Sequence, residues 1–524
     1  MKHQTPPKPP GLTHKKPYNN KTPNQSECSA LNKPEQKSTD HLIKTGNDNL
    51  DNILGGGLAK NRVYLLQGTP GTGKTTLALQ FLIEGVKRGE KTLYLTLSES
   101  KQELQAVAQS HNWSLQGVDI FEILAQEGDL SADNQYTMYQ PSEIELGKTT
   151  EMILTEVERL KPVRIVLDSL SELKLLAQSP LRFRRQTLAL KQFFASRDCT
   201  VLFLDDKTED INNFQLESIA HGVIDLEQLA PEYGAERRRI LIKKYRGQKY
   251  RGGFHDFNIT TGGLEIYPRI IPSEYSKVDI KDQLKSGIAS IDTLLGGGVE
   301  EGTSVLLLGP AGIGKSTLAL QYAVNAASQG QHAVIFTFDE SMNTMLHRAK
   351  GLGMKLAEYI DKGLIHLQPI DPTEMSPGEF AHQVRQVVGG EKGGVSAKVV
   401  VIDSLNGYLN AMPEERFLTS QMHELLSYLG HHGVVTFLVV AQHGLLGQAM
   451  QTPLDTSYLA DTVILFRYFE TAGSVHQAIS ILKKRGGSHE KTIREYHLVS
   501  DGITVGEPLT QYHGILTGTP VEKK

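Results

Sequence analysis

Gly68-Thr69-Pro70-Gly71-Thr72-Gly73-Lys74-Thr75 follows an apolar run, Arg62–Gln67, and precedes an amphipathic stretch, Thr75–Arg88. A G-x4-G-K-[ST] spacing set between a strand pattern and a helix pattern predicts a phosphate-binding loop. The glycines Gly68, Gly71 and Gly73 let backbone N–H groups turn inward, and the N-terminus of the next helix adds positive potential for an anion. On this reading Lys74 reaches the β- and γ-phosphates of ATP, Thr75 ligates Mg²⁺, and Thr76 completes the cradle. A glycine-rich turn with an incidental lysine would explain the same residues once, but not twice.

The motif does occur twice. Gly309-Pro310-Ala311-Gly312-Ile313-Gly314-Lys315-Ser316, followed by Thr317, sits in the same context between Ser304–Leu308 and Ser316–Ala327. Upstream, Thr45-Gly46 through Asp51 to Gly55-Gly56-Gly57 recurs as Ser286-Gly287 through Asp292 to Gly296-Gly297-Gly298. The separation is 241 residues at Asp51/Asp292, Lys74/Lys315 and Glu99/Glu340, and 235 at Asp168/Asp403. One register held across chemically distinct positions marks a duplicated domain. The expected division is a Pro- and Lys-rich tail over 1–40, a first domain over 41–270, a second over 271–506 and a C-terminal tail over 507–524, with a polar stretch near Pro268–Lys285 between the copies. The N-terminal tail has too few large apolar residues to offset ordering entropy and is expected to be disordered.

Each copy alternates short Val/Ile/Leu runs with helical patterns. In copy one the strands are expected at Arg62–Gln67, Lys91–Leu97, Val163–Leu167 and Thr200–Leu204, with a helix around Arg182–Ser196. In copy two they fall at Ser304–Leu308, His332–Phe338, Lys398–Ile402 and Val434–Val440. Continuous apolar strands alternating with helices predict an α/β fold, a mostly parallel twisted sheet with helices on both faces. Shorter runs such as Ile240–Lys243 and Ala478–Leu482 predict an antiparallel extension.

Composition narrows the function classes. A formal charge of −4 gives no global basic field, so a nucleic-acid partner is not expected. Arg182, Arg184 and Arg185 are read as a solvated helix face, with a ring-channel contact to single-stranded DNA as the alternative. The two cysteines, Cys28 and Cys199, have no disulfide or zinc spacing. No apolar run approaches the ~18 residues of a membrane span, and the N-terminus has no signal-peptide pattern. The cytoplasm is the expected location.

Asp168 and Asp403 each end an apolar run near a phosphate loop, a position that fits holding hydrated Mg²⁺, although a strand-terminal Asp also serves as a turn residue or cap. Ser98-Glu99 and Asp339-Glu340 end the strand after each phosphate-loop helix. Glu99 and Glu340, with Asp339 as a second acid, are candidates to orient a water or accept a proton, and Ser98 and Asp339 alternatively suit a helix N-cap. Lys244-Tyr245-Arg246-Gly247 and Lys483-Lys484-Arg485-Gly486 follow late strands. They read equally as solvated strand ends or as basic groups reaching a neighbouring subunit's γ-phosphate.

Together, the triple glycine before each loop, the acid after the next strand, the Asp-Ser-Leu segment and the late Lys-x-Arg-Gly resemble the KaiC family of RecA-like ATPases, over about residues 41–506. The resemblance implies two RecA-like P-loop domains, a homohexamer of two stacked rings with ATP between adjacent subunits, trans-acting Lys-x-Arg pairs, and KaiB-like or other regulatory partners. It also implies ATP hydrolysis by the first domain and serine/threonine autophosphorylation added by the second. The family's adjacent Ser-Thr acceptors correspond here to Ser457-Tyr458, with Thr456 alongside, and the copy-one counterpart of Ser457 is Glu217. Copy one also keeps a single acid after its second strand where the family usually has a Glu-Glu pair. These departures imply hydrolysis in copy one and self-modification in copy two.

Overall fold

The computed structural model describes residues 41–123, 141–207, 214–230, 234–275, 282–389, 396–410, 417–442, 458–517 and 521–522. The N-terminal stretch 1–40 and the two candidate acceptors Thr456 and Ser457 lie outside them.

In copy one the sheet comprises β1 (Val63–Gly68), β2 (Thr92–Thr96), β3 (Val118–Glu122), β4 (Arg164–Asp168), β5 (Thr200–Asp206), β6 (Gly222–Leu229), β7 (Arg237–Tyr245), β8 (Phe254–Thr260) and β9 (Gly263–Tyr267). Copy two repeats them as β10 (Ser304–Gly309), β11 (His332–Thr337), β12 (Ile365–Pro369), β13 (Ala397–Asp403), β14 (Val435–Ala441), β15 (Thr462–Thr471), β16 (Ser474–Lys484), β17 (Arg494–Val499) and β18 (Gly502–Pro508). The strand orders are the same: β3-β2-β4-β5-β1-β6-β7-β8-β9 and β12-β11-β13-β14-β10-β15-β16-β17-β18. Six strands of each sheet run parallel, and the last three join antiparallel. The expected parallel sheet with an antiparallel extension is what forms.

Central strands are apolar throughout because both faces are covered. Along β1, Tyr64 and Leu66 join one cluster with Leu77, Ala78, Phe81 and Leu82 of α1 (Lys74–Lys87). Val63 and Leu65 point the other way, to Leu173, Leu190 and Phe194 on the helices Leu170–Ala177 and Pro180–Ala195. Each fully buried Leu or Phe contributes roughly 1.5–3 kcal/mol of transfer free energy. Arg182 and Arg185 lie exposed on the second of these helices.

The described part of the segment between the copies, up to Tyr275, packs on the second copy. Ile270 is buried in the second copy's core, and Tyr275 meets Tyr428 edge-on at 4.8 Å. Across the junction, Asp256 on β8 accepts a bond from Gly378 N (2.7 Å), and Asn258 donates to Glu379 (2.8 Å). Beyond Glu507 the chain completes β18, pairs Tyr512–His513 with Val521–Glu522, and buries Ile515 beside Phe469.

Candidate functional site

Both phosphate loops leave the end of a central strand and open a helix whose N-cap is a left-handed glycine. That residue is Gly73 (φ 94°) before α1, and Gly314 (φ 101°) before the helix Lys315–Ser328. A side chain there would be strained by the backbone and would also meet Ile259 Cδ1 at 2.9 Å in copy one. Gly71 and Gly312 are also left-handed, while a Cβ on Gly68 or Gly309 would approach a carbonyl of β6 or β15.

In copy one the buried Lys74 folds onto its own loop. Its ammonium donates to Gly68 O (2.8 Å) and Thr69 O (3.0 Å) and pairs with Asp206 Oδ1 at 2.9 Å. Asp168, at the end of β4, accepts a 2.5 Å bond from the Tyr94 hydroxyl. Burial raises the Asp168 pKa; the Tyr94 bond opposes this, Asp206's charge adds to it, and Lys74 opposes it. Burial and the Asp168 charge raise the Tyr94 pKa in turn, and the Thr75 hydroxyl opposes this, so Tyr94 stands between Thr75 and Asp168.

Glu99 follows β2 in a turn closed by Thr96, which donates to Glu99 O (2.7 Å) and accepts from Glu99 N (2.9 Å). Its pKa is pushed up to about 7 by burial first, then by the charges of Asp168 and Glu103, with Lys74 opposing. Its Oε2 is buried without a hydrogen-bond partner. A carboxyl poised near neutrality, with one oxygen open, is suited to accept a proton from water.

Copy two keeps the cradle and changes the contacts. Lys315 donates to Pro310 O (2.6 Å), and burial pushes its pKa down to about 8 against the pull of Asp403. Burial raises the pKa of Asp403, the Ser316 hydroxyl and the charges of Arg348 and Lys315 oppose this, and the charge of Glu340 adds to it. Thr337 closes the Glu340 turn as Thr96 does for Glu99. Glu340 is not open, however: Arg348, on the helix Met342–Gly351, clamps its Oε2 at 2.6 Å and also donates to Thr317 (3.2 Å). At the 241-residue separation, Arg348 corresponds to Val107 in copy one. Asp339 accepts a 2.5 Å bond from Ser404.

The alternative cap roles do not hold. Ser100 and Ser341, two residues after Ser98 and Asp339, cap the helices that follow. Caps occupy the residue whose side chain reaches the N3 amide, and here the turn closed by Thr96 or Thr337 must finish first. Asp168 likewise spends its carboxylate on Tyr94, while Ser169 takes the N-cap position.

The late basic pairs cluster near the segment before β6 and β15. Lys244 donates to Glu217 O (2.6 Å) and Ala220 O (2.8 Å), and Arg246 to Ser218 O (2.9 Å). In copy two Lys483 donates to Ala460 O (2.8 Å), and the largely exposed Arg485 pairs with Asp461 at 3.1 Å. Arg485 and Asp461 also line a cavity of about 290 Å³ with Ser304, His423 and Tyr458. Glu217 accepts from Gln67 (3.0 Å) and Lys243 (3.1 Å).

Four contributing residues escape sequence reading: Tyr94, Asp206, Arg348 and the fully buried Arg164. Arg164 pairs with Glu90 at 2.5 Å, donates to Lys44 O and Phe81 O, and lies over the Phe81 ring. A tyrosine or arginine inside an apolar strand was the available signal, since a buried polar tip needs a partner.

Among the described residues no three His, Cys, Asp or Glu side chains are grouped to hold a metal alone. The donors that converge at each loop, Thr75 with Asp168 and Ser316 with Asp403, instead fit an ion that draws its other ligands from nucleotide and water. No described helix is long and apolar enough to cross a membrane.

Two RecA-like α/β domains, each carrying a phosphate loop, a strand-end aspartate and an acid after the next strand, define a tandem P-loop ATPase. The KaiC ATPase family model matches residues 43–270 and 284–510, and the chain belongs to the KaiC family. It is 26% identical over 490 residues to the circadian clock protein KaiC3 of Synechocystis sp., covering 91% of this chain and 94% of that protein. To the circadian clock oscillator protein KaiC of Thermostichus vulcanus it is 25% identical over 492 residues, 93% of each chain.

Proposed function

We propose that the two copies divide the work, copy one hydrolysing ATP and copy two also transferring the γ-phosphoryl group to a hydroxyl of the same protein near Ser457 or Thr456. The observation that carries this reading is the contrast between Glu99, open and titrating near neutrality, and Glu340, held by Arg348. An open carboxylate can take a proton from an in-line water; one whose oxygen is occupied by a guanidinium is not free to orient water, so bound triphosphate persists for a hydroxyl, whose proton passes to Asp339 as ADP leaves.

Gly68, Gly71, Gly73 and their counterparts Gly309, Gly312 and Gly314 shape the anion cradle, Thr76 and Thr317 support it, and Lys74 and Lys315 neutralise the phosphates. Thr75 with Asp168, and Ser316 with Asp403, would hold Mg²⁺, which when bound neutralises charge on the phosphate oxygens. Asp339 supplies a second carboxylate beside Glu340.

In this reading the protein works as a homohexamer with nucleotide between adjacent subunits. Lys244, Arg246, Lys483 and Arg485 then face a neighbour's phosphate. Arg485 and its cavity leave room for an anion, and added phosphate near that interface changes how subunits order against each other. KaiB-like regulators would read that state. The test is mass spectrometry of protein incubated with Mg²⁺–ATP: phosphate at Ser457 or Thr456 is expected. Unmodified peptide while ATP is consumed would remove the kinase assignment.

A further inference from the structure

The end of β5 carries a feature that neither hydrolysis nor phosphoryl transfer uses. β5 pairs with β1 so that Asp206 lies opposite Gly68, the first glycine of the loop. In copy two the same register sets Ala441 opposite Gly309. The duplication therefore places a carboxylate at one phosphate loop and a methyl group at the other, at equivalent backbone positions.

The consequence is visible on the lysines. Lys74 already has an anion, Asp206 Oδ1 at 2.9 Å, together with two loop carbonyls. Lys315 donates to Pro310 O, and among the described residues no ion pair holds it. A buried ammonium with no close counter-ion among the described residues gains strongly from an arriving phosphate. The neighbouring Asp205 is not equivalent to Asp206, because its carboxylate accepts from Ser171 at 3.1 Å.

We propose that Asp206 is an internal competitor for the nucleotide's phosphates in copy one: it occupies Lys74 as a phosphate oxygen would, and must be displaced for a nucleoside triphosphate to bind. This rests on the reading of copy one as a nucleotide site. It makes Asp206 an affinity-determining residue. The released carboxylate also repels the phosphates, so copy one binds more weakly than copy two and lets product go more readily as Asp206 recaptures Lys74. At 39% side-chain exposure, Asp206 can swing away without unpacking the core.

The test uses the full-length protein and Trp113, the only tryptophan of the chain. Trp113 packs on His111 at 4.8 Å, and His111 contacts Thr76 at the loop helix, so energy transfer from Trp113 to a ribose-labelled fluorescent ATP with Mg²⁺ reports copy one. Asp206→Asn should tighten binding at least about fivefold, the scale of one partly exposed ion pair, while Asp205→Asn should not. Binding by the wild type that is unchanged or weakened in Asp206→Asn would overturn the inference and leave the nucleotide site standing. Absence of binding in the wild type and both variants would overturn both. Binding that appears only in Asp206→Asn would support the inference in its strongest form.

Discussion

Copy one and copy two hold their loop lysine, loop hydroxyl, strand-end aspartate and following glutamate in one β-register, yet each of those groups touches something different. Lys74 is ion-paired and, among the described residues, Lys315 is not; Asp168 is bonded by Tyr94, while burial acts on Asp403 beside Ser316; Glu99 has an unpartnered oxygen and Glu340 is clamped. The backbone frame was kept through duplication while the residues around it changed. On the proposed division of labour, the difference in function comes from a few side chains around a fixed cradle, not from the cradle.

The widest gap between the copies should open at the acids. Glu99→Gln is expected to lower copy-one phosphate release by about 10²–10⁴-fold, the usual contribution of a positioned general base. The measurement is phosphate release in a Lys315→Ala background. A loss of only a few-fold would remove Glu99 from the chemistry.

Stability should separate the copies next. Arg164 on β4 is a buried cation whose register position in copy two is the aliphatic Val399. Arg164→Ala strands the Glu90 carboxylate and should destabilise copy one by roughly 3–5 kcal/mol. Val399→Ala, which removes only apolar contacts, should cost less. Denaturant unfolding of both variants checks the order.

A smaller effect concerns pH. Glu99 acts as a base only when deprotonated, and its pKa of about 7 means that activity is lost as pH falls through neutrality. Copy-one phosphate release should rise about tenfold between roughly pH 6 and 8, then level off. A flat profile would show that another group accepts the proton. The smallest change should come from Arg348→Ala, which frees Glu340 and gives copy two the open acid of copy one. Its phosphate release should then increase about fivefold, on the scale of a single partly exposed ion pair. A decrease would mean that Arg348 supports the reaction rather than restraining it.

The phosphate loops, Asp168, Asp403 and the two glutamates were legible because each is written locally: glycines at fixed spacing, or an acid ending an apolar run. The sheet was legible because apolar runs covered on both faces have a distinct pattern. What could not be read is what those groups touch. Tyr94 meets Asp168 and Lys74 meets Asp206 only because β1, β2, β4 and β5 lie side by side, and strand order is a tertiary property. Arg348 is eight residues from Glu340, but its clamp depends on how the helix Met342–Gly351 leans over the turn. The alternative cap roles for Ser98 and Asp339 do not hold for a related reason. The intervening turn shifts the helix start to Ser100 and Ser341.

The most direct test of divided labour measures phosphate release and phosphopeptides side by side in Lys74→Ala and Lys315→Ala. Lys315→Ala should abolish phosphopeptides and retain phosphate release, while Lys74→Ala should lose most phosphate release and impair nucleotide-dependent ring assembly. Equal loss of both activities in the two variants would contradict the account.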